Sequence, residues 1–207
     1  MLFKFIFLTF AIINVHSSIN NLKINNYEKS LLTIAASAQV YVGGQVGLWR
    51  NTDANNTNLG IEPEVGYNIN DKWAVGTGVG YVYDYYKGVK TNAFEFSPYA
   101  RYTVAKFGPA SFLLDGGIAF STVKAKKGSF KSDSYNAWQI GVTPVLKVNL
   151  AKKFDFIASL GFLGYRDYDD INIPGEDPDL LSDVYGEKGF GFSLSSNDLK
   201  FGIIYNF

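Results

Sequence analysis

The pattern that decides the fold is clearest in residues 59–69, which read LGIEPEVGYNI. Bulky apolar residues or proline occupy every odd position of this stretch, and Gly, Glu or Asn occupies every even position. Successive side chains of a β-strand point to opposite faces, so this alternation predicts a strand with one apolar and one small, polar face.

The same alternation appears in eight stretches after Gln39, where helical periodicity is hard to find. They are residues 40–48, 59–69, 73–85, 94–104, 112–121, 138–149, 154–165 and 198–207. In each stretch the apolar face is bulkier than the opposite face. A soluble barrel or sandwich would bury its bulky face. The pattern favours the inverse arrangement, in which the apolar faces contact lipid and the small, polar faces line a narrow interior.

The composition excludes several classes of function. The 19 Lys and Arg residues balance the 19 Asp and Glu residues, so no basic surplus is present to bind nucleic acid. Charged residues make up only 18% of the chain, which is few for a soluble surface. Cysteine is absent and His16 is the single histidine. We therefore expect no enzymatic activity, no cofactor and no nucleic-acid partner.

The lengths of the strands and of their connections suit a membrane barrel. A strand of ~11 residues, tilted by ~40°, rises about 28 Å, which matches the apolar band of an outer membrane. The short links are residues 70–71, 105–109 and 151–153, and the longer polar links are residues 50–58, 87–91, 124–134 and 166–187. This alternation predicts an all-β, eight-stranded antiparallel up-and-down transmembrane β-barrel with short periplasmic turns and long outer loops.

Aromatic residues are expected in two belts at the membrane surfaces. The periplasmic belt contains Tyr67, Trp73, Tyr102, Phe154, Tyr205 and Phe207, and the outer belt contains Tyr81, Tyr83, Phe94, Phe120 and Trp138. Pro63, Pro98 and Pro144 occupy equivalent positions in three strands. Because proline lacks a backbone donor, they predict a shared bulge or break in pairing, with the unpaired neighbour left open.

Residues 1–38 are interpreted as a signal peptide or N-terminal export region, and residues 39–207 as the barrel domain. The apolar run Leu2–Val15 is too short to span a bilayer as a helix but suits an export signal. Two cleavage sites remain open, one near Ser17 or Ser18 and one after Ala38. The small-residue pattern Ala36-Ser37-Ala38 favours the second site.

The C-terminal strand, residues 199–207, has apolar residues at alternate positions and ends in an aromatic residue. Together with residues 97–102 (SPYARY) and 114–117 (LDGG), it resembles the small eight-stranded outer-membrane barrels of the OmpA, OmpX and opacity-protein type. The resemblance implies insertion by the barrel-assembly machinery, with Phe201, Ile203, Tyr205 and Phe207 as the insertion signal and both termini in the periplasm. It implies no shared activity, because members of this group differ in their loops.

Charged residues on the inner faces are the candidate functional residues. We expect a lumen ion network of Glu62, Glu64, Asp84, Glu95, Arg101, Asp115, Lys147 and Lys200. Charges in a narrow interior must pair or meet water, and eight strands leave room for little more than side chains. Glu62 and Glu64 point the same way on one strand, as the paired carboxylates of a glycosidase would, but the ion network is the favoured reading.

The sequence therefore predicts a monomeric outer-membrane protein with a structural or surface-interaction role through its loops. Outer-membrane lipid and lipopolysaccharide are the expected partners. The lysines of residues 124–134 either attract the acidic loop 166–187, weakly and in a salt-dependent way, or meet lipopolysaccharide phosphates. The alternative is a narrow, low-conductance channel with a weak cation preference. The acidic loop 166–187 is read as a solvated loop, with a bound cation as the second reading; no metal site is assigned, because its spacing is not that of an EF-hand.

Overall fold

A computed structural model describes residues 39–53, 55–86, 88–170, 187–194 and 198–207. The predicted export region and both cleavage sites lie outside these residues. The strands are β1 (Gln39–Asn51), β2 (Asn56–Asn68), β3 (Trp73–Tyr86), β4 (Val89–Phe107), β5 (Ala110–Lys127), β6 (Phe130–Lys131), β7 (Tyr135–Ala151), β8 (Phe154–Leu160), β9 (Phe162–Tyr168), β10 (Gly189–Ser193) and β11 (Leu199–Asn206). Within these residues no helix has the length and hydrophobicity that a membrane crossing needs.

The strands form a closed ring. β1 to β5 and β7 each form one barrel strand, β8 and β9 share the seventh, and β10 and β11 share the eighth. β11 pairs with β8 on one side and with β1 on the other, from Asn206 opposite Tyr41 to Phe201 opposite Val46. The predicted eight-stranded antiparallel barrel is confirmed.

The two ends of the barrel differ in their connections. At the turn end, residues 69–72, 108–109 and 152–153 link consecutive strands. The opposite end, here called the loop end, carries the remaining connections. Three of the long links predicted there are mostly strand: β1 and β2 leave only residues 52–55 between them, β3 and β4 leave only residues 87–88, and β5 continues to Lys127. The strands continue because inward residues such as Val89 and Val123 still pack together there, at 1% and 0% exposure.

The bulky faces of the strands point outward, as predicted. Leu48, Ile61 and Phe94 are 71%, 50% and 60% exposed, whereas inward residues such as Tyr41 and Arg101 are buried. Outward aromatic rings form pairs at both levels. The pairs are Trp73 with Tyr102 at 4.7 Å and Tyr205 with Phe207 at 5.0 Å near the turn end, and Tyr81 with Phe94 at 6.3 Å and Trp138 with Tyr165 at 5.4 Å near the loop end.

The seventh barrel strand departs from its predicted pattern at Gly161, whose φ is 98°. Val142 of β7 lies opposite Leu163 and Val145 lies opposite Ser159, so the β8–β9 side holds one extra residue. A bulge of this kind reverses the facing of the residues beyond it. Phe162, expected to face lipid, is therefore buried, and Tyr165, expected to face the interior, is exposed.

The break in pairing predicted at the three prolines is confirmed, and it falls on the side of the following barrel strand. Around Pro63, pairing of β2 with β3 stops after Ile61 and resumes at Glu64. Pro98 interrupts pairing of β4 with β5 in the same way, and Pro144 lies opposite the bulge. Proline has no backbone N–H group, so it cannot donate a hydrogen bond to the following barrel strand.

Glycines on the inner face make room for two tyrosine rings. Gly66 lies opposite Tyr41, and a Cβ atom at Gly66 would overlap the Tyr41 ring. A Cβ atom at Gly76 would lie 2.6 Å from Cζ of Tyr99. The lumen is so narrow that a large side chain on one strand requires the absence of one on its neighbour.

This requirement predicts that Gly66→Ala destabilises the barrel by about 1–3 kcal/mol, because the Tyr41 ring must move. Gly60→Ala is the matched control on the same strand and face, since the nearest atom to its Cβ would be Cγ2 of Val82 at 3.9 Å. Urea unfolding in phospholipid vesicles measures both. Equal stability of the two variants would show that the Tyr41 ring is not held as described.

Candidate functional site in the barrel interior

The barrel encloses a cavity of about 180 Å³. Inward side chains from most barrel strands line it, among them Gln45, Asn58, Glu62, Glu64, Glu95, Tyr99, Asp115, Gln139, Arg166, Asp198 and Lys200. All but one of the carboxylates and cations among them come from β2, β4, β5, β9 and β11, and Asp198 lies one residue before β11. The candidate site is therefore the polar middle of the lumen, into which the alternating inner faces of the strands project.

An apolar layer lines the lumen at the turn end. It consists of Tyr41, Ala74, Leu113, Val145, Ile157 and Ile204, each at most 4% exposed. These residues come from β1, β3, β5, β7, β8 and β11, so the layer draws on strands around the whole ring. The alternation of the sequence did not predict that these residues form one layer, here called the turn-end layer. Its signal in the sequence is the loss of alternation in pairs such as Phe156-Ile157 and Ile203-Ile204.

Arg101 is the centre of the next layer. Its Nε and Nη2 atoms donate to Oδ1 and Oδ2 of Asp115, both at 2.8 Å, and Nη2 also donates to Oε2 of Glu64 at 3.3 Å. Arg101 and Asp115 face each other directly across β4 and β5. The side chains of Arg101 and Glu64 are only 6% and 4% exposed. A bidentate pair of this kind fixes the geometry of both partners.

Two tyrosines complete this group, which we call the Arg101 cluster (Arg101, Asp115, Glu64, Tyr99 and Tyr41). Tyr99 donates to Oε2 of Glu64, and the hydroxyls of Tyr99 and Tyr41 lie 2.9 Å apart. The guanidinium carbon of Arg101 lies 4.9 Å from the centre of the Tyr99 ring and 5.6 Å from that of Tyr41. Among the described residues, Oε1 of Glu64 is buried without a hydrogen-bond partner.

A second group lies beside the Arg101 cluster in the same cavity. Glu62 accepts hydrogen bonds from Lys200 and Ser97, both at 2.7 Å. Glu95 accepts one from Ser121 at 3.1 Å. A Cβ atom at Gly78 would lie 2.5 Å from Oε1 of Glu62, so this glycine leaves the space that the carboxylate occupies.

The remaining predicted network residues lie apart from these two groups. Asp84 accepts a hydrogen bond from Asn58 at 3.3 Å. Lys147 forms an ion pair with Asp155 at 3.6 Å. All eight predicted residues thus make polar contacts on the inner side of the barrel. These contacts divide the residues among several groups.

Three charged residues of the interior were not predicted as site residues. Asp155 accepts hydrogen bonds from Asn149 and Asn206 in addition to its pair with Lys147. Arg166 pairs with Asp198 at 2.9 Å. The sequence pattern assigns Arg166 to the loop 166–187, but the bulge at Gly161 reverses the facing of β9 and turns the Arg166 side chain into the lumen.

Most of the predicted acidic loop, residues 171–186, lies outside the described residues. At its two ends Lys188 donates a hydrogen bond to Oδ1 of Asp170, and this bond raises the pKa of the Lys188 amine. No group of three His, Cys, Asp or Glu side chains suited to a metal ion occurs in the part of the chain that the structure describes.

The residues of the proposed insertion signal lie on the outer surface of the closing strand. Phe201, Ile203 and Phe207 are 45%, 44% and 66% exposed, and the ring of Tyr205 packs against that of Phe154 at 5.1 Å. Their role in insertion remains a prediction.

Comparison with known families and structures also identifies outer-membrane β-barrels. Residues 30–207 match the family model described as the outer membrane protein beta-barrel domain. A major outer membrane protein from Thermus thermophilus has a similar structure, with a TM-score of 0.50 and 13% identity over 83% of this chain and 100% of that chain. The N-terminal β-barrel domain of Pseudomonas aeruginosa OprF gives a TM-score of 0.48 and 16% identity over 82% of this chain and 96% of that chain.

Neisserial surface protein A gives a TM-score of 0.45 and 14% identity over 82% of this chain and 97% of that chain. No curated protein matches the sequence. The family model covers most of the chain, including every described strand. The protein therefore belongs to the outer membrane protein β-barrel domain family and is a β-barrel protein of the outer membrane.

Proposed function

We propose that the protein is a non-conducting barrel that anchors a raised sheet at the loop end for contacts outside the membrane. The observation that carries this proposal is the turn-end layer, whose residues are at most 4% exposed. We infer that this apolar layer, contributed by strands on several sides of the ring, keeps water and ions out of that end of the lumen. The Arg101 cluster adds a second, polar layer directly beside it.

The raised sheet consists of the parts of β3, β4 and β5 that extend beyond the outer aromatic residues. β4 begins at Val89, five residues before Phe94, and β5 ends at Lys127, seven residues after Phe120. Hydrogen bonds join Ser132 to Ala125 and continue the sheet into the hairpin of β5 and β6. Such a rigid surface suits recognition by neighbouring molecules better than a mobile loop.

The proposed orientation places the turn end and both termini in the periplasm and the loop end outside the cell. Long extracellular connections and short periplasmic turns are the rule for barrels of this class. The exposed apolar residues of β11 support insertion by the barrel-assembly machinery. We propose a monomer, because β11 and β1 already pair with each other and close the ring.

A narrow cation channel is the alternative. The cavity favours it in one respect, since the carboxylates of Glu62, Glu64, Glu95, Asp115 and Asp198 line it against the cations Arg166 and Lys200. The turn-end layer would have to move for an ion to pass. No enzymatic role is proposed, because the sequence lacks cysteine and its single histidine is His16.

We expect the refolded protein to give no steady single-channel openings in planar lipid bilayers. The turn-end layer excludes ions because a charge in an apolar constriction loses its hydration. A large-pore porin recorded in the same bilayers is the positive control. Steady cation-selective openings that Glu62→Gln combined with Glu64→Gln abolishes would overturn the proposal in favour of the channel.

We also expect Arg101→Ala to lower the free energy of unfolding by about 3–5 kcal/mol, because it leaves two buried carboxylates without their cation. Lys147→Ala is the control: the Lys147 side chain is 33% exposed and lies 3.6 Å from Asp155, which keeps its hydrogen bonds from Asn149 and Asn206 when the lysine is removed. We expect a loss of about 1–2 kcal/mol, smaller than that of Arg101→Ala. Urea unfolding in phospholipid vesicles measures both variants.

Replacing Asp115 by Asn and Glu64 by Gln in the Arg101→Ala background should restore part of the loss, because the uncompensated charges are removed. Equal stability of the Arg101→Ala and Lys147→Ala variants would show that the Arg101 cluster does not stabilise the barrel as described.

A further inference from the structure

Three lysines stand side by side on the outer face of the raised sheet. Lys90 of β4 lies directly opposite Lys126 of β5, and Lys126 lies directly opposite Lys131 of β6. Directly opposite Cβ atoms in an antiparallel pair are about 4.5–5.5 Å apart. The three ammonium groups, here called the lysine row, therefore lie within reach of one small ligand.

The lysine row carries an unfavourable arrangement of charge. Like charges directly opposite each other destabilise a sheet. All three side chains are exposed, and within the described part of the chain the structure forms no ion pair with them. Lys124, two residues from Lys126 on the same face, adds a fourth exposed cation. The repulsion would be relieved by an anion with more than one negative charge.

The height of the lysine row relative to the membrane indicates which class of anion can reach it. Lys90 is four residues beyond Phe94 on the same face of β4, and Phe94 is 60% exposed on the lipid side. Four strand residues span about 13 Å along the strand, or about 10 Å in height at the usual tilt. Tyr81 and Trp138 lie directly opposite Phe94 and Phe120, and exposed Tyr and Trp rings mark the edge of the hydrocarbon. The lysines therefore lie at the level of the lipid headgroups.

We propose that the lysine row is a binding site for a lipid headgroup that carries at least two phosphate groups, in the leaflet at the loop end. This inference rests on the membrane orientation given under the proposed function. The site lies on the outer wall of the barrel, so it is independent of whether the lumen conducts. The lipid would reach it laterally, with its acyl chains against the exposed apolar residues of β4 and β5.

Equilibrium binding in detergent micelles tests the proposal, with lipid A carrying both phosphates as the probe. The refolded chain should bind it, and the combined variant Lys90→Ser, Lys126→Ser, Lys131→Ser should bind about 100-fold more weakly, since each lysine near an anionic headgroup contributes about fivefold. Raising the salt concentration should weaken binding to the unaltered chain and affect the variant less.

The matched control is Lys72→Ser, Lys106→Ser, Lys152→Ser, which removes the same charge from exposed positions at the turn end. It should bind lipid A as the unaltered chain does. The corresponding triple Lys→Arg variant should also keep its binding, because the charges remain. The circular dichroism spectrum verifies that each variant is folded.

Equal binding by the lysine-row variant and the unaltered chain would overturn the proposal, as would an equal loss in the turn-end control. Lipid A without phosphates should bind poorly, and tight binding of that lipid contradicts a phosphate site. Displacement of lipid A by an equal concentration of inorganic pyrophosphate would show a site for free phosphate rather than for lipid. None of these outcomes bears on the conductance measurement.

Discussion

The need to pair every backbone donor and acceptor inside hydrocarbon is the constraint on which this structure depends. An unpaired N–H or C=O group in lipid costs several kcal/mol, so a sheet in a membrane must close on itself. The pairing of β11 with β1 achieves this closure. The three interruptions at Pro63, Pro98 and Pro144 are local exceptions, and each occurs at a residue that has no backbone donor to offer its neighbour.

Closure by eight strands fixes the width of the interior, and the width determines what can fill it. The Tyr41 and Tyr99 rings enter the lumen only where Gly66 and Gly76 leave space. The charges that remain must then satisfy one another at close range, which Arg101 does with Asp115 and Glu64. The turn-end layer completes the filling with apolar side chains.

The sequence predicted the fold well because period-two alternation is a local signal that each strand carries by itself. It also predicted which charged residues face inward, since Glu62, Glu64 and Arg101 lie on the small faces of their strands. It could not predict their partners, because the pairing of Glu62 with Lys200 depends on ring closure between distant parts of the chain. The bulge at Gly161 was missed for a related reason: one inserted residue reverses a face without changing composition, and Phe162 and Arg166 turned inward as a result.

The central claim is that the exposed apolar surface of the barrel requires lipid. The most direct test dilutes urea-unfolded protein into buffer with and without phospholipid vesicles and follows β-sheet formation by circular dichroism. We predict a β-sheet spectrum and a heat-modifiable band in gel electrophoresis only when vesicles are present. A folded, monomeric β-sheet protein that stays in solution without lipid or detergent would contradict the account, because Ile61, Phe94 and Phe201 would then have to lie inside the barrel.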